Sequence, residues 1–377
     1  MSLKAARRLD GIERTLIRKI FDRAPNGAIN LGLGQPDLPS PAVVCLAGIR
    51  GIVEQHTRYT TTAGDEELRR AVAQRYAAHE VGPESVLITV GSQEALYVAC
   101  LTLVEEGGEV LYPDPGYPAY PTVARLVGAV PVSYPLPAER AFRLTAEEVE
   151  RRLSERTSLV ILSAPSNPTG VCHPADELQR LVWELERRGI AWLSDEVYAS
   201  LIFDGPSPSP AELAPAGGVV ISGLSKEMCM TGWRIGWLVG PPQLIERATA
   251  VHQHVVTCAP SVSQRAALAA FGSDGLHARR TWVERLRRRR DLMGRELARL
   301  PRIRYATPEG GFYYFVDVSA HGEALELARR ILDRREVVTI PGEAFGRGGA
   351  GYLRLSFAAG ETEIERGVAR IGEELGG

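Results

Sequence analysis

Three observations in this 377-residue chain predict an α/β fold with a mostly parallel central sheet flanked by helices, plus a smaller α+β domain. Between residues 66 and 222, compact apolar runs suited to buried strands alternate with stretches of helical spacing. Connections of about a dozen residues between such strands imply βαβ units with right-handed crossovers. Near residue 275 the texture changes, and a long Arg-rich helical pattern leads into shorter strand and helix signals. The composition, 45% hydrophobic and 24% charged, is that of a globular protein. A chain of this length buries about three quarters of its extended surface, so its core needs no disulfide or metal staple.

The elements follow in order. The first forty residues carry no sheet pattern and are expected to pack on other elements. Residues 66–79 have helical apolar spacing, and 86–90 (VLITV) read as a buried strand. Ser92 opens a helix through Leu103, followed by a strand over 109–112. The pattern repeats with a strand at 158–162 (SLVIL), a helix at 175–187, and strands at 190–193 (IAWL) and 219–222 (VVIS). Residues 205–210 form a short Pro/Ser loop. Farther on come a helix over 276–300, a strand over 311–318 (GFYYFVDV), a helix over 323–333, and strands at 337–340 and 351–357. These elements divide the chain into a large α/β domain, 43–274, and a small domain built from both termini, 1–42 and 275–377.

Charge and cysteine content exclude several function classes. With 44 basic against 46 acidic residues, the net charge of -2 lacks the basic excess of a nucleic-acid binder. The one basic run, 285–290 (RLRRRR), reads as a solvated helix face. Five cysteines without a C-x-x-C pair argue against a disulfide framework or a zinc site and fit a reducing cytoplasm. Neither a signal peptide nor a bilayer-spanning apolar run is evident, so no membrane is expected as a partner. Residues 346–351 (GRGGAG) match G-x-G-x-x-G, but a strand follows them where one should precede, which makes a flexible loop the better reading. P-loop, G-x-S-x-G and H-E-x-x-H motifs are absent.

Lys226 is the sharper signal, because all but three of the 44 basic residues are arginine. It lies in SGLSKEMCMTGWRIG (222–236), just past the strand 219–222, at the carboxyl edge where α/β sheets bind ligands. A lysine held there as a neutral amine can condense with a carbonyl. Taken alone it reads more readily as a surface lysine in a loop. Arg234, between Gly232 and Gly236, suggests an anion site nearby. Two more strand ends lead into Asp195-Glu196-Val197-Tyr198 and Asn167-Pro168-Thr169-Gly170. Each alone is an ordinary cap or turn. Together, three such signals converge on one sheet edge.

With these motifs the chain resembles the class I/II pyridoxal-phosphate aminotransferases of fold type I. The resemblance continues in NLGLGQPD (30–37), YTTTAG (59–64), GSQEAL (91–96), PDPGYP (113–118) and YLRLS (352–356), in order over most of the chain. It implies that Lys226 holds pyridoxal 5′-phosphate as a Schiff base and then moves the proton between Cα and the cofactor. Asp195 would pair with the pyridine nitrogen, Tyr198 and Asn167 with the phenolate oxygen, and Tyr117 with the ring face. Ser92 and Gln93, at a helix N-terminus, would bind the phosphate with Arg234. Three positions before the lysine, where many relatives have a phosphate-binding serine, this chain has Gly223, leaving Ser222 or Ser225 to compensate. Tyr59 would reach the phosphate of a neighbouring subunit, which implies a homodimer with shared sites. Arg354, helped by Asn167 and the Gly34 backbone, would clamp the substrate α-carboxylate.

The implied activity is amino-group transfer between an L-amino acid and a 2-oxo acid by a ping-pong mechanism. Two alternatives stand beside it: a β-lyase (C–S lyase-like) on the same scaffold, and a non-catalytic regulator that binds the cofactor. Such regulators carry a further basic DNA-binding domain, for which this chain is expected to have no room.

Overall fold

Depth in the sheets follows from apolar runs too long for one-sided burial, and the computed structural model shows both faces covered. It describes residues 4–76, 81–205, 207–210 and 217–376. A short strand, β1 (Ile29–Asn30), precedes β2 (Val86–Thr89), β3 (Glu109–Asp114), β4 (Val130–Pro135), β5 (Thr157–Ser163), β6 (Ala191–Asp195), β7 (Gly218–Gly223) and β8 (Gly236–Val239). Strands β2 to β8 form one seven-stranded sheet in the order β2-β8-β7-β6-β5-β3-β4. Only β8 runs antiparallel within it. Successive residues of β5 serve opposite faces: Leu159 and Ile161 join the helix Ser92–Leu103 in one cluster, Val160 and Leu162 join Leu181 and Leu185 in another.

The second sheet is antiparallel and smaller. It contains β9 (Arg304–Tyr305), β10 (Tyr313–Asp317), β12 (Ile340–Pro341) and β13 (Tyr352–Ser356), in the order β12-β13-β10-β9. Between them β11 (Val337–Val338) leaves to pair in parallel with β1. The helices Ser273–Leu297, Ala324–Arg335 and Glu361–Gly376 pack around this sheet in a second core, which Tyr198, Leu201 and Phe203 join, while Phe315 and Ile340 face the main core. Among the described residues, no helix is long and apolar enough to cross a membrane.

Most anticipated elements form, with several corrections. The helix over 66–79 is described as Glu66–Arg75; residues 77–80 lie outside the described residues, as does position 206 of the Pro/Ser loop. The first forty residues, expected to have no sheet of their own, contribute the short strand β1, which pairs with the distant β11. The single strand over 337–340 splits at Thr339, because its two halves pair with different sheets. Strand β4 was not anticipated: Pro131 and Pro135 disrupt its pattern, and the sheet tolerates them because β4 is an edge strand. The glycine run 346–351 is a loop that holds local structure. It forms a short 3-10 turn, Arg347–Gly349, packed on the end of β3, where the Gly348 amide donates to Asp114 Oδ1 (2.8 Å). Nor is the run 285–290 wholly solvated, since Arg289 and Arg290 are buried in ion pairs with Asp37, Glu361, Asp204 and Asp291.

Candidate active site

Parallel strands end their hydrogen bonding on one edge of the sheet, and the side chains just beyond that edge line a cleft of about 410 Å³. Ser163 ends β5 and Asn167 follows it, Asp195 ends β6, and Ser225 and Lys226 follow β7. The small sheet contributes Tyr313 from β10 and Arg354 from β13. Gly34, Ser92, Gln93, Tyr117, Tyr198 and Arg234 also line the cleft. Every anticipated site residue except Tyr59 therefore meets in one place. Tyr59 is 84% exposed on the outer surface.

Lys226 Nζ donates to the Gly34 carbonyl (2.7 Å). Burial first, then the charges of Arg354 and Arg234, draws its pKa down to about 8, with Asp195 pulling the other way. A neutral, nucleophilic amine is thus accessible near physiological pH. Asp195 Oδ2 accepts from the Tyr120 hydroxyl (2.8 Å) and Oδ1 from the Val197 amide (3.2 Å). Burial raises its carboxyl pKa, against the lowering effect of these two bonds and of Lys226.

Arg354 is 3% exposed. Its Nη1 donates to Asn167 Oδ1 (3.0 Å) and its Nη2 to the Gly32 carbonyl (2.7 Å). The guanidinium lies between the rings of Tyr313 (4.0 Å) and Phe345 (4.6 Å), which orients it by cation–π contact. Its Nε is buried without a partner among the described residues. A buried donor so left is costly unless a ligand satisfies it.

The second anion-binding feature is the N-terminus of helix Ser92–Leu103. Gly91 turns into it at φ +77°, and a Cβ there would come within 2.6 Å of Arg234 Nη2. A Cβ on Gly236 would come within 2.6 Å of the Ser92 amide nitrogen. Only glycine lets these backbones and the guanidinium crowd around free N–H groups. Arg234 itself adopts φ 54°, ψ 58°, a left-handed conformation that aims its side chain at the Val90 carbonyl (3.4 Å). Of the two serines left open, Ser222 donates to the Glu196 carbonyl (2.9 Å), whereas Ser225 lines the cleft. With Lys226, Arg234 and Arg354 against Asp195, the cleft carries an excess of positive charge suited to a phosphate and a carboxylate. The donors present therefore fit pyridoxal phosphate.

Sequence reasoning missed Tyr120, Tyr313 and Phe345. Tyr120 stands three residues after Tyr117, in the first turn of the helix Ala119–Leu126, and its ring packs edge-on against that of Tyr117 (5.5 Å). Tyr313 accepts or donates at 3.1 Å to the Tyr198 hydroxyl, and a Cβ on Gly34 would collide with its OH. No local signal marks it or Phe345. Cys229, unusual beside the lysine, has its thiol pushed up to about 12 by burial, which leaves it without nucleophilic character.

Comparison with known proteins identifies the family. The family model for aminotransferase class I and II matches residues 26–371. An aspartate aminotransferase of Pyrococcus horikoshii is 34% identical, over 97% of this chain and 96% of its own. A probable N-acetyl-LL-diaminopimelate aminotransferase of Bacillus subtilis is 36% identical, over 91% of this chain and 88% of its own. The solved structure of Thermus thermophilus aspartate aminotransferase with maleate superimposes with a TM-score of 0.93 at 29% identity, covering 99% of this chain and 100% of that one. The chain belongs to the class I and II aminotransferases of fold type I, enzymes that use pyridoxal phosphate to exchange an amino group between amino acids and 2-oxo acids.

Proposed function

We propose that this chain carries out that exchange with Lys226 as both attachment point and proton carrier. The observation that carries the reading is the lysine itself, drawn down to about 8 between Asp195 and Arg354 at the sheet edge. When bound, pyridoxal phosphate supplies an aldehyde for amines to condense with and a ring that takes up the electron pair left at Cα. Ser92, Gln93, Ser225 and Arg234 would hold its phosphate, and Tyr117 its ring face. Asp195, braced by Tyr120, would keep its ring nitrogen protonated. Asn167 and Tyr198 would meet its phenolate oxygen. Arg354 binds the substrate α-carboxylate through its planar fork, supported by Asn167 and by the backbone at Gly34. So clamped, the substrate keeps its Cα–H within reach of Lys226 Nζ, which accepts the proton and returns it on the other side of the exchange.

Assembly completes the reading. The helix Ala42–Val53 exposes Leu46 (55%), Ile49 (56%), Ile52 (59%) and Val53 (75%), an apolar face on the same chain segment as Tyr59. A second copy covering this face would form a homodimer in which Tyr59 reaches the neighbouring phosphate site. The division at 43–274 against 1–42 with 275–377 is supported by the second core around β10 and β13, most of whose residues come from the two terminal segments. Five free cysteines support a cytoplasmic setting.

Borohydride reduction of the purified protein, followed by peptide mapping, should fix the cofactor at Lys226. Alanine, methionine or an aromatic amino acid supplied without oxo acid should then leave one equivalent of pyridoxamine phosphate per site and stop. Steady release of ammonia and pyruvate from cysteine, with no amine accumulating from any amino acid, would establish a lyase instead.

A further inference from the structure

The Arg-rich helix contains two buried cations that the chemistry above does not use, Arg289 and Arg290, and only the first leads to the contacts of Lys226. Arg289 is 2% exposed, near the middle of helix Ser273–Leu297. Its Nη1 and Nη2 form a two-pronged bond to Asp37 (2.7 and 2.9 Å), and its Nε donates to Glu361 (3.2 Å). The guanidinium also lies over the ring of Trp282 (5.7 Å), two helical turns earlier on the same face. Trp282 Nε1 in turn donates to the main-chain carbonyl of Lys226 (3.0 Å).

Asp37 stands three residues beyond Gly34, whose carbonyl receives the Lys226 ammonium. The Asp37 amide donates to the Ala358 carbonyl (3.0 Å), just past β13, so this segment is held at both ends. One guanidinium thus braces two contacts of the lysine: the acceptor for its side chain, through Asp37, and the donor to its backbone, through Trp282. A planar fork does this where a point charge would not.

We infer that Arg289 is a positioning residue for the transfer reaction, setting the place of Lys226 from both sides while touching neither substrate nor cofactor. The inference rests on the role proposed above for Lys226. Its consequence is directional: loosening the fork misplaces the proton carrier but leaves the Arg354 clamp, so turnover suffers more than substrate affinity.

The test compares wild type, Arg289→Lys, Trp282→Phe and the double variant, each in holo and cofactor-free form. Turnover is expressed per bound cofactor. Each single variant should lower kcat about tenfold, inside the ~10²-fold that a 1 Å misplacement costs, with KM within about twofold of wild type. The double variant should lose less than the product of the two single losses, because the Arg289–Trp282 contact is shared while the Asp37 fork is altered by Arg289→Lys alone. In the cofactor-free proteins, the pH midpoint for acylation of Lys226 should move down from about 8, since the ammonium form loses its fixed acceptor. Asp195, Arg234 and Arg354, the charges facing that amine, are unchanged in every variant. A lowered Tm with unchanged kcat per cofactor and an unchanged midpoint would make Arg289 a structural anchor and overturn the inference, as would effects that multiply in the double variant. If Arg289→Lys does not fold, an unchanged kcat and midpoint in Trp282→Phe overturn it alone. Failure of wild type to react with any amino acid would instead count against the role of Lys226.

Discussion

Lys226 and Arg354 show how little of a residue's chemistry resides in its own side chain. Enclosure in the cleft and two neighbouring guanidiniums bring Lys226 to about 8, whereas the unfolded chain keeps it in the ordinary lysine range. Between those values the unfolded state holds a proton that the folded state does not, so stability rises with pH across that window. Below about pH 8 the full cost is present, on the order of 3 kcal/mol. Urea titration of the cofactor-free protein should find Lys226→Met more stable than wild type at pH 7, with the gap narrowing by pH 10; a gap independent of pH would contradict the buried, depressed amine. For Arg354 the fork matters more than the charge. Arg354→Lys should raise KM for amino and oxo acids alike by roughly ten- to a hundredfold, about one to two charge-assisted hydrogen bonds. Asp195→Ala should lower kcat far more than it weakens cofactor retention, because its interaction strengthens as charge reaches the ring nitrogen.

At the level of elements, the phosphate cradle depends on how β2, β8 and the helix Ser92–Leu103 approach one another. Gly91 and Gly236 permit that approach, and both face backbone or a guanidinium where a Cβ would sit. Gly91→Ala should cost about 1–2 kcal/mol from the positive φ alone. Displacement of Arg234 adds to that, so cofactor affinity of the variant should fall by tenfold or more, read as a Kd by fluorescence titration; retention of wild-type affinity would mean that the turn is not part of the phosphate site. Strands with continuous apolar runs were legible because both faces are buried. Strand β8 was not, because it runs against its neighbours and so lies outside the βαβ rhythm.

For the whole molecule, the homodimer proposed above would use the exposed apolar face of helix Ala42–Val53 and the exposed Tyr59. Tyr59→Phe should weaken cofactor retention by about 1.5–3 kcal/mol, the worth of one hydrogen bond to a charged group. Leu46→Glu, on the apolar face, should shift the protein toward monomer in sedimentation experiments and reduce activity on dilution. A monomer that keeps full activity would sink the shared-site arrangement.

Strand-end motifs around Lys226, Asn167 and Asp195 were readable in the chain itself because the apolar runs that place them are local, and one sheet edge gathers whatever follows each parallel strand. The partners of those residues were not readable. Lys226 meets Gly34 across 192 positions, Arg354 meets Asn167 across 187, and Arg289 meets Asp37 across 252. Arg289 and Arg288 are identical as letters in an arginine run, yet one is buried in a two-pronged ion pair and the other exposed. Helix phase against a distant loop makes that difference. Local pattern therefore determines which residues reach the active-site edge, and the packing of the two sheets determines their pKa, their orientation and which arginine holds them in place.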